Sequence, residues 1–183
     1  MLNHFSSRDT LVLQNEINHL PLLIRAAKKR GMRVVFNPSP FDQTILSYPL
    51  SQVDVLFVNE IEGNQLLSGA TKEERKYSPV QTVQKLTKIY GIPHIIMTLG
   101  ETGSVVLHDG VIAAEPAIHT NAVDTTGAGD TFTGYYLAGL ESFEDHSFTH
   151  RLASLAASLT VSRKGAATSI PYLHEVMSHM NLN

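Results

Sequence analysis

The sequence predicts an α/β fold, an open and mostly parallel sheet flanked by helices in three layers, and three observations carry that prediction. Short, branched, nearly continuous apolar runs recur along the first hundred residues: LVLQ (Leu11 to Gln14), MRVVFN (Met32 to Asn37), VDVLFVN (Val53 to Asn59) and HIIMTLG (His94 to Gly100). Such runs are the pattern of strands buried on both faces of a parallel sheet. Helix-like segments separate them, which makes the repeat strand, helix, strand. From Gly127 onward the chain reads as helices alone.

The individual elements follow from local chemistry. INHLPLLIRAAKKRG ends in a basic turn and then Gly31, a helix stop, and SPVQTVQKLTKIYG opens on Ser78 and Pro79 and stops at Gly91. After Gly100 the texture changes, because SVVLHDG and VIAAEPA surround an Asp109-Gly110 turn that predicts an antiparallel hairpin. The helical remainder comprises GAGDTFTGYYLAGL, HSFTHRLASLAASLTVS and PYLHEVMSHM. A strand that is apolar on both faces needs neighbours on both sides, so LVLQ is expected inside a sheet although only ten residues precede it. The expectation is therefore that residues 1–183 form the carboxyl-terminal part of a single larger domain whose first strands are absent from this sequence.

Composition narrows the function classes. The 14 basic and 17 acidic side chains give a formal net charge of -3, and the basic residues are scattered or interleaved with acids, as in KEERK at Lys72 to Lys76. Neither a nucleic-acid partner nor an anionic membrane surface is expected. The chain has no cysteine, which excludes disulfides, thiolate metal sites and cysteine nucleophiles and favours a reducing compartment, the cytoplasm by default. No signal-like amino terminus, membrane-length apolar run, internal repeat or low-complexity tract is present. HEVMSH at His174 to His179 spaces its histidines five apart, off a common helix face, and reads as surface helix instead of a zinc site.

The informative stretch is DTTGAGDTFTGYYLAGL, Asp124 to Leu140. In an open α/β fold ligands gather beyond the carboxyl ends of the strands, where loops run into helix starts. Gly127 and Gly129 permit backbone angles closed to other residues and keep side chains out of the way, so successive N–H groups can point at one anionic site. The following helix adds partial positive charge, worth roughly 0.3 to 1 kcal/mol to a nearby anion at an exposed terminus. Asp130 on the first turn would repel a phosphate but can accept the proton of an alcohol that attacks phosphorus. A plain turn followed by a helix-capping aspartate accounts for the same four residues equally well. There is no G-x-x-x-x-G-K-[ST], and Phe132 stands where a dinucleotide G-x-G-x-x-G would need its third glycine.

VDTTGAGDTFTG resembles the carboxyl-terminal signature of the ribokinase-like sugar kinases, the PfkB carbohydrate kinase family, and LVLQNE, NPSP, VNEIEGNQLLSG, MTLGETGSVVL and SRKGAATSIP occur in that family's order. The resemblance implies a ribokinase-like fold whose amino-terminal strands and β-lid are missing here. It further implies ATP-dependent phosphorylation of a sugar hydroxyl, with SRKGAATSIP and LVLQNE most similar to the ribokinase branch, and Tyr135 departing from the small residue usual after Gly134.

Carried over by position, the resemblance makes Asp130 the catalytic base, next to the substrate, and Gly127, Ala128 and Gly129 the anion hole. Asn59 and Glu62 match the family's N-x-x-E element near Mg²⁺ and the nucleotide phosphates, while Thr98, Gly100 and Gly103 would lie along ATP and Ser154 on its adenine side. Asp124, Thr126, Thr160, Arg163, Gly165 and Ser169 match a site for a monovalent cation, K⁺, and Glu16 a sugar-side acid. The implied partners are a small-molecule sugar and ATP, with room for a homodimer or for association with the missing amino-terminal portion. Because in-line transfer depends on holding the acceptor, an effect worth roughly 7 to 11 kcal/mol, a chain lacking most acceptor contacts is expected to turn over slowly or not at all. A noncatalytic nucleotide-binding or interaction module of the same ancestry, or a PfkB kinase for another sugar or nucleoside, is the alternative.

Overall fold

The computed structural model describes Leu2 and residues 4–180, so Met1, Asn3 and the last three residues of the expected 1–183 domain lie outside the described residues. Among the described residues six strands form one sheet in the order β1-β2-β3-β4-β5-β6: Thr10–Gln14, Arg33–Asn37, Val55–Asn59, His94–Thr98, Ser104–His108 and Val111–Glu115. Pairs β1·β2, β2·β3 and β3·β4 are parallel. The sheet is mixed because β5 and β6 form the expected hairpin, turning on Asp109 and Gly110 with φ of 47° and 84°. This is the open, helix-flanked, three-layer α/β architecture the apolar runs predicted.

Two compact units divide the chain, one of residues 1–98 and 105–112, the other of residues 99–104 and 113–183. In the first, helices α1 (Leu20–Lys29), α2 (Glu60–Thr71) and α3 (Pro79–Tyr90) make the crossovers between parallel strands. Leu20, Ile24 and Ala27 place one face of α1 in the core with Val34, Val35 and Phe36 of β2 and Leu56 of β3, all fully buried. Lys28 at the end of α1 holds both carboxylate oxygens of Asp54 at 2.7 and 2.8 Å, and Asp54 also accepts the Val34 N–H at 2.7 Å. Helix stop, strand and loop are thereby tied at one point. Ser78 and Gln81 cap α3 reciprocally and Gly91 ends it at φ 73°, as the Ser-Pro start and glycine stop required.

Strand β1 lies at the open edge of the sheet. Only Leu13 of β1 is buried, Val12 is 51% exposed, and among the described residues no strand pairs with the outer side of β1. The segment reads as a doubly buried strand because its residues are all apolar to Leu13, yet it stands at an edge, where one side is left open.

The second unit is helical: α4 (Ala128–Ser142), α5 (His146–Val161) and α6 (Leu173–Met180). Helices α4 and α5 approach closely because Gly139 has no side chain; a Cβ there would stand 2.7 Å from Thr149 Cγ2. Thr160 Oγ1 donates to Thr131 Oγ1 at 3.1 Å across the same pair, both residues being buried. Leu152, Leu155, Ala156 and Val176 form the core beneath α6. Tyr135, the departure from a small residue after Gly134, packs against that cluster and donates its hydroxyl to Pro171 O at 2.7 Å, joining α4 to the approach of α6. Among the described residues no helix is long and apolar enough to cross a membrane.

His150 is a buried titratable group of this unit, 1% exposed, and burial pushes its imidazole down to about 4 from the ordinary 6.5. Between those values the unfolded chain binds the proton that the folded one rejects, so stability rises with pH. The contribution is complete above about pH 6.5 and lost as pH falls through about 4, an amount on the order of 2–3 kcal/mol once solvent screening is allowed for. Thermal unfolding scans from pH 7 to 4 are expected to show a fall in Tm that is several degrees shallower in His150→Phe. Equal slopes in the two proteins would contradict this role.

Candidate nucleotide and phosphate site

The carboxyl ends of the parallel strands present the first group of expected site residues. Strand register sets Asn59, the last residue of β3, beside Thr98, the last of β4. Asn59 caps α2: its Oδ1 accepts the Glu62 N–H at 2.8 Å, and Glu62 Oε2 accepts the Asn59 N–H at 2.9 Å. This reciprocal box leaves Glu62 6% exposed and fixes the acid one turn from the strand end. The N-x-x-E pattern is therefore at once a helix start and a rigid pair of oxygen-bearing groups beside Thr98. Glu16 lies in the exposed turn two residues beyond β1. Its neighbour Asn15 anchors that turn, donating to Pro40 O at 2.8 Å and Asp42 Oδ2 at 2.9 Å. Thr44 in turn donates to Asp42 and holds its carboxyl below the usual carboxylate range.

The second unit assembles the larger group. Gly100 and Gly103 bound a one-turn 3-10 helix with φ of 59° and 112°. A Cβ on Gly103 would overlap Glu115 O and stand 2.7 Å from Ala117 N, whereas nothing among the described residues lies within 4 Å of one on Gly100. Gly103 is thus required by the fold, and Gly100 leaves an open approach to backbone. Ser154 lines a cavity of about 320 Å³ walled by Pro116, Ala117, Ile118, Leu155 and Met180, with Glu115 and Arg151 at its polar side. The Ser154 hydroxyl donates to His150 O at 3.0 Å.

The GAGD turn forms the start of α4. Gly127 is its N-cap at φ 78°, ψ 2°, a left-handed conformation that favours glycine, and among the described residues no side chain caps this end. Ala128 and Gly129 follow in the first turn, and a Cβ added at Gly129 would meet no described atom within 4 Å outside its own helix. Asp130 stands on that first turn and is exposed. An uncapped helix start is the kind of backbone arrangement that favours an anion, and Asp130 stands beside it.

Asp124 holds this turn against the loop that follows α5. Its Oδ1 accepts the Thr126 N–H at 3.0 Å and its Oδ2 the Gly165 N–H at 3.1 Å, contacts led by Thr126 that keep the carboxyl below its ordinary range. Val161 O receives both the Val123 and Asp124 N–H groups. Ser169 donates to Gly165 O at 2.7 Å and Ala166 O at 2.6 Å, and Thr160 O accepts the Arg163 N–H at 3.1 Å. Asp124, Thr126, Gly165 and Ser169 are thus brought together, with Thr160 at the end of α5. The Arg163 side chain turns instead to Glu175 at 2.9 Å. Among the described residues no three His, Asp or Glu side chains gather as a metal cluster.

With this geometry in place, comparison with known proteins decides the family. Residues 3–173 match the pfkB family carbohydrate kinases. The chain belongs to that family. It is 36% identical over 175 residues to a ribokinase of Lactococcus lactis, covering 93% of this chain and 53% of the relative. A ribokinase of Cryptococcus neoformans solved with ADP superposes at a TM-score of 0.81 with 30% identity, covering 93% of this chain and 60% of that one. An Arabidopsis thaliana ribokinase complexed with ribose and ATP gives 0.76 with 31% identity, 92% of this chain and 55% of that one. The chain spans a little over half the length of the curated relatives it matches.

Sequence reasoning missed one residue of this region, His150, which a lone histidine in an alanine-rich helix does not announce. The two glycines of the family's TLGETG stretch make a further prediction. Gly103→Ala is expected to lower stability by more than about 1 kcal/mol and Gly100→Ala by about 1, read as Tm by calorimetry. Equal losses would contradict the close approach of Gly103 to Glu115.

Proposed function

We propose that this chain carries the ATP side of a ribokinase-type sugar kinase, whose reaction converts D-ribose and ATP to D-ribose 5-phosphate and ADP. The observation that carries the proposal is the uncapped start of α4, with left-handed Gly127, open space over Gly129 and Asp130 on the same turn. In this reading the acceptor hydroxyl attacks the γ-phosphorus, its proton passes to the Asp130 carboxylate, and the bond to ADP breaks. The N–H groups at Gly127, Ala128 and Gly129 meet the negative charge that spreads over the transferred phosphoryl oxygens, a preorganised interaction of the kind worth about 10² or more in rate per donor. Thr98, Gly100 and Gly103 border the nucleotide, and the apolar cavity at Ser154 takes the adenine. The ADP and ATP complexes of the two ribokinases above support the nucleotide.

Asn59 and Glu62 are the residues that would hold Mg²⁺ through ordered waters, their amide and carboxylate oxygens suiting a hard cation that neutralises phosphate charge. Asp124, Thr126, Thr160, Gly165 and Ser169, with the Arg163 carbonyl, are the candidates for K⁺, most of them offering neutral backbone carbonyls beside the one Asp124 carboxylate. Glu16 is assigned to the sugar side. Because the chain spans little more than half of its relatives, turnover by the polypeptide alone is expected to be slow, and a noncatalytic nucleotide-binding module is the second reading. Cytoplasmic location, and association through the open edge of β1 with a further copy or an amino-terminal portion, belong to the same proposal.

Calorimetry with ATP and magnesium, then a ribose phosphorylation assay, tests this. ATP binding in the parent and in Asp130→Asn is expected, with turnover reduced at least about 100-fold in the variant and lowered when potassium is replaced by tetramethylammonium. Binding without turnover in either protein supports the module instead, and absence of ATP binding would remove both readings.

A further inference from the structure

His150 sits inside the second unit where three segments of the site meet. Its Nε2 lies 2.6 Å from Ser104 Oγ, both residues being buried. Ser104 directly follows Gly103, whose carbonyl closes the glycine loop by accepting the Leu99 N–H at 2.8 Å. On its other side the imidazole meets the rings of Phe132 and Tyr136 edge-on, at 6.1 and 6.2 Å between centroids and interplanar angles of 81° and 74°. Those two rings stack on each other at 5.9 Å, and Phe132 is two residues beyond Asp130 on α4. The backbone carbonyl of His150 receives the Ser154 hydroxyl.

We infer that His150 is a positioning residue that couples the Gly100–Gly103 loop to the first turns of α4, through Ser104 on one side and Phe132 and Tyr136 on the other. The inference rests on the function proposed above for what the two segments serve, but the coupling itself is a property of the fold. Rings and hydrogen bond act together because the imidazole is fixed at both ends: a rotation that improved its aromatic contacts would break the bond to Ser104. Removing either partner of that buried bond leaves the other unsatisfied, so the loop is released when the ring is lost. Among the described residues Nδ1 has no hydrogen-bond partner, and burial keeps the ring neutral at pH 7. Tyr136 is the titratable side chain that faces it from α4, and Ser104 faces it from β5.

Amide hydrogen exchange on the full chain at pH 7 tests the coupling. His150→Phe and Ser104→Ala are each expected to speed exchange about tenfold in two separate segments, residues 100–104 and 130–136, while β3 keeps the parent rate. His150→Gln, which retains a hydrogen-bonding group for Ser104, is expected to restore much of the protection. Should His150→Phe fail to fold, Ser104→Ala carries the same test. Acceleration confined to residues 100–104, with α4 at the parent rate, would overturn the inference, as would full protection in His150→Phe. Coupled exchange in a chain that does not bind ATP supports the inference while removing the function proposed above.

Discussion

An open helix start has to be held open by something other than its own capping side chain, and here the Asp124 carboxylate does it. One oxygen accepts the Thr126 N–H and the other the Gly165 N–H, so a single ionised group grips the turn before α4 and the loop after α5. Gly127 takes its left-handed turn inside that clamp, with its α-carbon side facing Ala166 of the same loop. The consequence is chemical. Among the described residues no Ser, Thr or Asp side chain caps this start, the Ala128 N–H reaches only Thr125 O at 3.3 Å, and the dipole of a fifteen-residue helix stands behind the turn.

The helical unit carries its own supports for that arrangement. Close packing of α4 on α5, allowed by Gly139, and the Thr160–Thr131 bond fix the helix along its length, while Tyr135 ties it to the segment entering α6. In the sheet unit the parallel register sets Asn59 beside Thr98, and the capping box with Glu62 makes that corner rigid. Each unit thus presents oxygen or amide groups at chain turns where side chains are small or already committed, which suits a ligand bound largely by backbone and a cation bound by carbonyls.

Much of this was legible before any coordinates. Buried parallel strands announce themselves as apolar runs, and Ser78-Pro79, Gly91 and Asp109-Gly110 dictate their caps and turn by steric rules that act over three or four residues. The family signature located the turn at Gly127 and the acid at Asp130. What stayed hidden depends on distance. Helix α2 carries two glycines and a weak apolar pattern, so its identity comes from the Asn59–Glu62 box and from packing on β3. His150 acquires its meaning from Ser104, 46 residues away, and Arg163 spends its side chain on Glu175, a contact that spacing along the chain does not reveal.

The central claim is that the amides of Gly127, Ala128 and Gly129 receive the phosphate end of the nucleotide. Titrating ¹⁵N-labelled chain with ATP and magnesium and following amide resonances tests it directly. Those three amides are expected to show the largest shifts at saturation, and smaller ones when ADP replaces ATP. Saturating nucleotide that moves other resonances while all three stay in place would contradict the account.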